Sequence, residues 1–147
     1  MKVLAIASKG GHWVQLLRLI PAFSGHEVVY ISTNKELAET VKGAEFHCVE
    51  DGNRNSKLSL IGTFLDLIKL IRKIKPSVII TTGAAPGLMG VVAGKFLGAK
   101  TIWVDSIANV DKVSMSGSIA SRFADRVYTQ WPHLANSKFM FDGNILS

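Results

Sequence analysis

Short, uninterrupted apolar runs alternate with amphipathic ones along the whole chain. Val3-Leu4-Ala5-Ile6-Ala7 carries no polar residue, the mark of a strand buried on both faces, and the pattern predicts a first strand over Lys2–Ala7. Helical spacing follows over His12–Phe23, ending near Pro21 and Gly25. Further strands are expected at Glu27–Ile31, Glu45–Val49, Ser77–Thr81, Lys100–Val104 and Arg126–Thr129. Between them, Asn34 is placed to cap a short helix through Val41. Leu58–Lys75 reads as the longest helix, Pro86 opens another that runs to about Leu97, and a last one covers Ser116–Ala124. Asp51–Lys57 is a polar loop rich in turn residues, and the tail from Gln130 is mixed.

Strands alternating with helices give an α/β fold: a Rossmann-like parallel sheet with helices on both faces. The 147 residues suffice for one domain, 1–147, with a proper core. Ligands of such sheets bind beyond the carboxyl ends of the strands. The turns at Gly10, Gly83 and Asp105 all fall on that edge.

The first of these turns is Ser8-Lys9-Gly10-Gly11-His12. Two glycines bare the backbone in front of a helix start, where unpaired N–H groups suit an anionic or sugar-like ligand. A tight turn without a ligand explains them equally well. His12 stands at the head of the helix, where a neutral imidazole can take a proton from an attacking hydroxyl; the alternative is a capping or merely exposed histidine. Asp105 follows a buried strand and can bind a hydroxyl, act as a base or cap its own turn. Ser106 and Asn109 are weaker polar candidates, and His26, His47 and His133 form no constellation with them.

Several classes drop out on spacing. A dinucleotide fingerprint needs a third glycine and a carboxylate after the second strand, which ends Ile31-Ser32-Thr33-Asn34. Gly90–Lys95 is one residue short of a phosphate loop, and Phe96 stands where a hydroxyl is required. Gly90 and Gly94 are better read as points of close helix approach. No pair of His or Cys has zinc spacing, so the residues call for no cofactor and no metal. The single cysteine, Cys48, excludes an internal disulfide and is expected to be a buried, inert thiol.

The net charge of +6 favours an anionic partner or surface. Nucleic acid is the poorer candidate, because the basic residues are not interleaved with exposed aromatics. The Leu58–Lys75 helix is apolar over more than half its circumference. Ile61, Phe64, Leu65, Ile68 and Ile71 make one face, Leu60, Leu67, Leu70 and Ile74 widen it, and Lys69, Arg72 and Lys73 flank it. It is either packed between sheet and neighbour or presents a basic, apolar surface to a membrane. With no signal peptide and no spanning run, the expected location is the cytoplasmic face of the membrane, held peripherally.

Three pieces taken together resemble a known family: Ser8-x-Gly10-Gly11-His12, then Thr82-Gly83-Ala84-Ala85-Pro86-Gly87, then Val104-Asp105-Ser106-Ile107-Ala108 with Asp125–Thr129 and Gln130-Trp131-Pro132. The chain is similar over nearly its whole length to the acceptor-binding subunit of the split UDP-N-acetylglucosamine transferase of lipid-linked oligosaccharide synthesis. It also resembles the N-terminal half of the glycosyltransferase that completes the peptidoglycan lipid precursor. The resemblance implies half of a GT-B fold. It implies a lipid-linked saccharide acceptor, membrane recruitment, and a separate donor-binding subunit that holds the UDP-sugar. It places acceptor contacts at Ser8, Gly10, Gly11, Gly83, Ala84 and Ser106, with His12 the candidate base and Asp105 second. Asp105 stands where the family usually carries Glu, and Asn109-Val110 where it carries Arg-Val. Eukaryotic members have an N-terminal membrane helix; this chain opens on a strand, which points to the bacterial capsule and exopolysaccharide branch. A chain of this half size is expected to transfer no sugar alone. The competing readings are a stand-alone nucleotide- or sugar-phosphate-binding module and a single-chain enzyme with its own donor site.

Overall fold

The apolar runs pair side by side into one six-stranded sheet, all parallel, in the order β3-β2-β1-β4-β5-β6. The strands are β1 (Lys2–Ile6), β2 (Glu27–Ser32), β3 (Glu45–Cys48), β4 (Val78–Thr81), β5 (Lys100–Val104) and β6 (Arg126–Tyr128). The helices are α1 (Gly11–Leu17), α2 (Lys57–Ile74), α3 (Ala84–Phe96) and α4 (Met115–Ala120). The computed structural model describes residues 1–51 and 56–146. Gly52, Asn53, Arg54 and Asn55 of the expected polar loop therefore lie outside the described residues.

Strand alternation divides the core between the two faces of the sheet, with a third cluster, around Trp103 and Val127, under α3 and α4. One sheet face sends Leu4, Ile6, Val29, Ile31 and Ile79 under α2 and α3. The other sends Val3, Ala5 and Tyr30 against Trp13 and Leu16 of α1. The chain runs out to the edge strand β3, then returns through α2 to place β4 beside β1. Strand order reverses there, and the crevice beyond the carboxyl ends of β1 and β4 is where a ligand site is expected. Close packing of α3 depends on small residues: a Cβ on Gly90 would lie 2.5 Å from Ile6 Cδ1, and one on Gly94 2.5 Å from Ile79 Cδ1.

Four local expectations change. The helix expected over 12–23 stops at Leu17, and Ile20–Phe23 is a 3-10 turn; Pro21 has no N–H with which to continue an α-helical ladder. Lys35–Val41 is likewise 3-10, with the Asn34 side chain accepting from Glu36 N at 3.0 Å. The last helix starts at Met115, because Ser114 caps it by accepting from Gly117 N at 2.9 Å, and it ends at Ala120. Cys48 is exposed, not buried, since it ends an edge strand.

α2 turns a different face inward than its apolar content suggested. Thr63, Leu67, Ile71 and Ile74 are buried against the sheet, with Phe64, Ile68 and Leu70 beside them. Ile61 and Leu65 point outward, 54% and 50% exposed, in line with Leu58. Lys69, Arg72 and Lys73 are exposed as well. The outer stripe is thus apolar in its first half and basic in its second. Among the described residues no helix is long and apolar enough to cross a membrane.

Candidate functional site

At the carboxyl edge the turns after β1, β4 and β5 meet. Gly10 takes φ 87° and Gly83 φ 130°, backbone that side chains rarely adopt. Ala84 follows at φ 71°, a left-handed conformation that costs a residue with a side chain. His12, in the first turn of α1, packs directly against Gly83: a Cβ there would sit 2.8 Å from His12 Nδ1 and 3.0 Å from Cε1. Its Nδ1 lies 3.1 Å from the Thr82 carbonyl oxygen. A carbonyl only accepts, so Nδ1 carries the proton, and in the neutral ring Nε2 keeps its lone pair. The Thr82 hydroxyl donates back to the His12 carbonyl at 2.6 Å.

Asp105 is 2% exposed. Its Oδ1 accepts from Trp103 Nε1 at 3.1 Å and from Ser114 Oγ at 2.6 Å. Its Oδ2 accepts from Asn109 Nδ2 at 3.2 Å and from Ser114 N at 3.0 Å. Four donors fill the roughly four lone-pair positions of a carboxylate. Of the roles open to Asp105, tying its own loop to the start of α4 is the one this geometry displays.

Gln15 is the residue that sequence reasoning passed over. It lies buried on α1, where an uncharged polar side chain gives little signal. Its Nε2 donates to the Asp105 carbonyl at 3.0 Å, and its Oε1 accepts from Ile107 N at 3.0 Å. The loop after β5 is held from its other side by Trp131, whose Nε1 donates to the Ile107 carbonyl at 2.8 Å. His133 Nε2 meets the Val110 carbonyl at 2.5 Å. The Gln130-Trp131-Pro132 segment is therefore a brace for the site.

Two cavities flank His12. One, of about 450 Å³, is lined by Thr82, Gly83, Ala84, Asp105, Asn109 and Ser114 among others. The second, of about 410 Å³, lies toward Gly11, Gln15, Arg18 and Ile107. Ser106 borders both. Of the expected acceptor contacts, Gly11, Gly83, Ala84 and Ser106 thus face these cavities. Ser8, which is buried, and Gly10, which is exposed, shape the turn but line neither. Lys69, Arg72 and Lys73 lie apart from them, on α2.

A parallel Rossmann-like sheet with a polar cleft at its switch point is the architecture of half of a GT-B glycosyltransferase. The solved structures agree. The chain superposes on Acinetobacter baumannii MurG with TM-score 0.78 and 15% identity, covering 95% of this chain and 45% of that one. For the UDP-GlcNAc 2-epimerase of Methanocaldococcus jannaschii the values are 0.73 and 14%, covering 98% and 46%. The chain thus spans about half the length of these structures. The family model described as "Oligosaccharide biosynthesis protein Alg14 like" matches residues 44–143, and the chain belongs to that family. A curated relative, the UDP-N-acetylglucosamine transferase subunit ALG14 of Yarrowia lipolytica, is 28% identical over 91% of this chain and 75% of its own length.

Proposed function

We propose that this chain is the acceptor-binding and membrane-recruiting subunit of a two-component glycosyltransferase. It holds a lipid-linked saccharide in the His12 cleft while a separate donor-binding subunit presents a UDP-sugar, N-acetylglucosamine by analogy with the ALG14 relatives. The carrying observation is the His12 ring, whose Nδ1 is committed to the Thr82 carbonyl, in a chain of the Alg14-like family.

The reaction follows from that ring. An acceptor hydroxyl attacks the anomeric carbon of the UDP-sugar and its oxygen forms the new glycosidic bond. The bond from that carbon to the diphosphate breaks, and UDP leaves with the electron pair. The hydroxyl proton passes to His12 Nε2. Gly83, Ala84 and Ser106 line the acceptor's path. Asp105 acts as a positioning residue, because its lone pairs are spent on its own loop.

The place for the donor subunit is the half of the sheet that no helix covers among the described residues. Ile80, Ile102, Val104 and Tyr128 point from three strands into an open trough of about 500 Å³, bounded by Arg18 and Asp142. On the opposite face of these strands α3 and α4 pack. Ile80, Ile102 and Tyr128 are half-buried and Val104 is buried, and an open trough floored by apolar side chains in this way fits an interface. Co-expression with a donor-type subunit from the same genome tests the assignment. The two should co-purify, and Ile102→Lys should abolish capture without lowering the melting temperature of the chain. Failure of the wild-type chain to co-purify with any such subunit contradicts it.

A further inference from the structure

The polar cleft has an apolar neighbour that neither the fold nor the reaction uses. Leu60 of α2, Ala85, Leu88 and Met89 of α3, and Met115 and Ser116 of α4 enclose a groove of about 520 Å³. Met115 and Ser116 also line the cleft that holds His12, Gly83 and Asn109, so the two spaces share a wall. That wall is open to solvent: Met115 is 80% exposed. At the other end Leu60 leads to the turn of α2 that carries Leu58, 82% exposed, and Ile61. Apolar surface left bare in this way calls for an occupant. A ligand that fills both spaces has a polar head and a hydrocarbon tail.

We infer that the groove between α2, α3 and α4 holds the hydrocarbon chain of an amphiphilic ligand whose polar head lies in the His12 cleft. This rests on the acceptor reading above and deepens it: the chain leaves the cleft past Met115, runs under Leu60 and emerges beside the apolar half of the α2 stripe. That stripe then meets the bilayer from which the chain is drawn.

Alkyl β-N-acetylglucosaminides test this, titrated at monomeric concentrations and followed by backbone amide shifts. The methyl compound reads the cleft alone, through His12, Gly83 and Asn109. Butyl, octyl and decyl compounds add the groove, read at Leu60, Ala85 and Leu88. A fully buried methylene is worth about fourfold in affinity, so octyl, with four more than butyl, should bind at least about tenfold tighter even where the groove buries only half of them. Leu60 packs in none of the three core clusters. Leu60→Glu should therefore fold normally and erase most of the chain-length gain, and Met115→Glu at the exposed wall should do the same. Methyl binding without a chain-length gain overturns the groove and leaves the acceptor reading standing. So does a gain that survives both variants or shifts amides elsewhere. If no compound in the series shifts either set of amides, the acceptor reading falls and the groove with it.

Discussion

His12 and Thr82 are joined twice: the ring Nδ1 to the Thr82 carbonyl at 3.1 Å, and the Thr82 hydroxyl to the His12 carbonyl at 2.6 Å. One contact sets the tautomer and the other fixes the helix start against the turn after β4. Two segments 70 residues apart in sequence are locked at the point where strand order reverses. A base needs this kind of second contact, because a ring free to turn presents its lone pair only part of the time.

In the reconstituted pair, His12→Ala should lower kcat by about 10²–10⁴-fold with the fold intact. Thr82→Val keeps the carbonyl and loses the hydroxyl, so kcat should fall less and KM little. Steady-state kinetics beside a thermal melt check both. Unchanged kcat in His12→Ala returns the histidine to a capping role.

Gly83→Ala should cost activity through His12 rather than through the ligand. The new Cβ would fall 2.8 Å from Nδ1, at a residue held at φ 130°. The ring must leave the Thr82 carbonyl, and kcat should drop nearly as far as in His12→Ala. Stability should fall by about 1–3 kcal/mol from the backbone alone. At Gly11, by contrast, an added Cβ meets nothing within 4 Å, so Gly11→Val should weaken acceptor binding with little change in stability. Denaturant melts and acceptor titrations separate the two glycines.

Gln15→Leu keeps the volume and removes both bonds to the loop after β5. Each buried backbone group left unsatisfied costs about 1–3 kcal/mol. Exchange of the Ile107 amide should accelerate well beyond the global change. Gln15→Glu still accepts from Ile107 N but cannot donate to the Asp105 carbonyl when ionised, and should fall between. Equal protection of Ile107 in all three chains would remove Gln15 from the site.

The sheet was legible because six apolar runs are short, separated by turn residues and too regular for anything but alternating α and β. The meeting of Gly10, Gly83 and Asp105 was legible too, since topology alone puts those turns on one edge. Other features were not. Pro21 signals an end, yet the break after Leu17 depends on where the ladder loses its donor. α2 has apolar residues on nearly every side, so periodicity could not say that Leu67 faces the sheet and Leu65 faces out. Gln15 acts through backbone groups of the loop after β5, and Ser114 through the Asp105 carboxylate, partners that only folding brings near. Asp105 read as a possible base because a sequence does not display how many donors surround a carboxylate.

The α2 stripe should bind anionic membranes. Lys69 and Lys73 are exposed in its basic half, below Leu58, Ile61 and Leu65. Each near-surface cation contributes about 1 kcal/mol, so Lys69→Glu with Lys73→Glu should weaken vesicle binding by at least ~10-fold at low salt and leave the melt unchanged. Added salt should mimic the variant. Leu65→Asp should also release the protein without unfolding it, whereas Leu67→Asp, fully buried, should unfold it. Flotation of the double variant at wild-type levels would count against this surface.

The central claim is that this chain supplies half of an active site. Transfer from a radiolabelled UDP-sugar to a lipid-linked acceptor is measured for the purified chain, for its donor-type partner and for the two together. Label should enter the acceptor only in the mixture, at a rate that saturates as the partner is titrated and that collapses in His12→Ala. Transfer by this chain alone, at a rate that adding the partner does not change, would contradict the account.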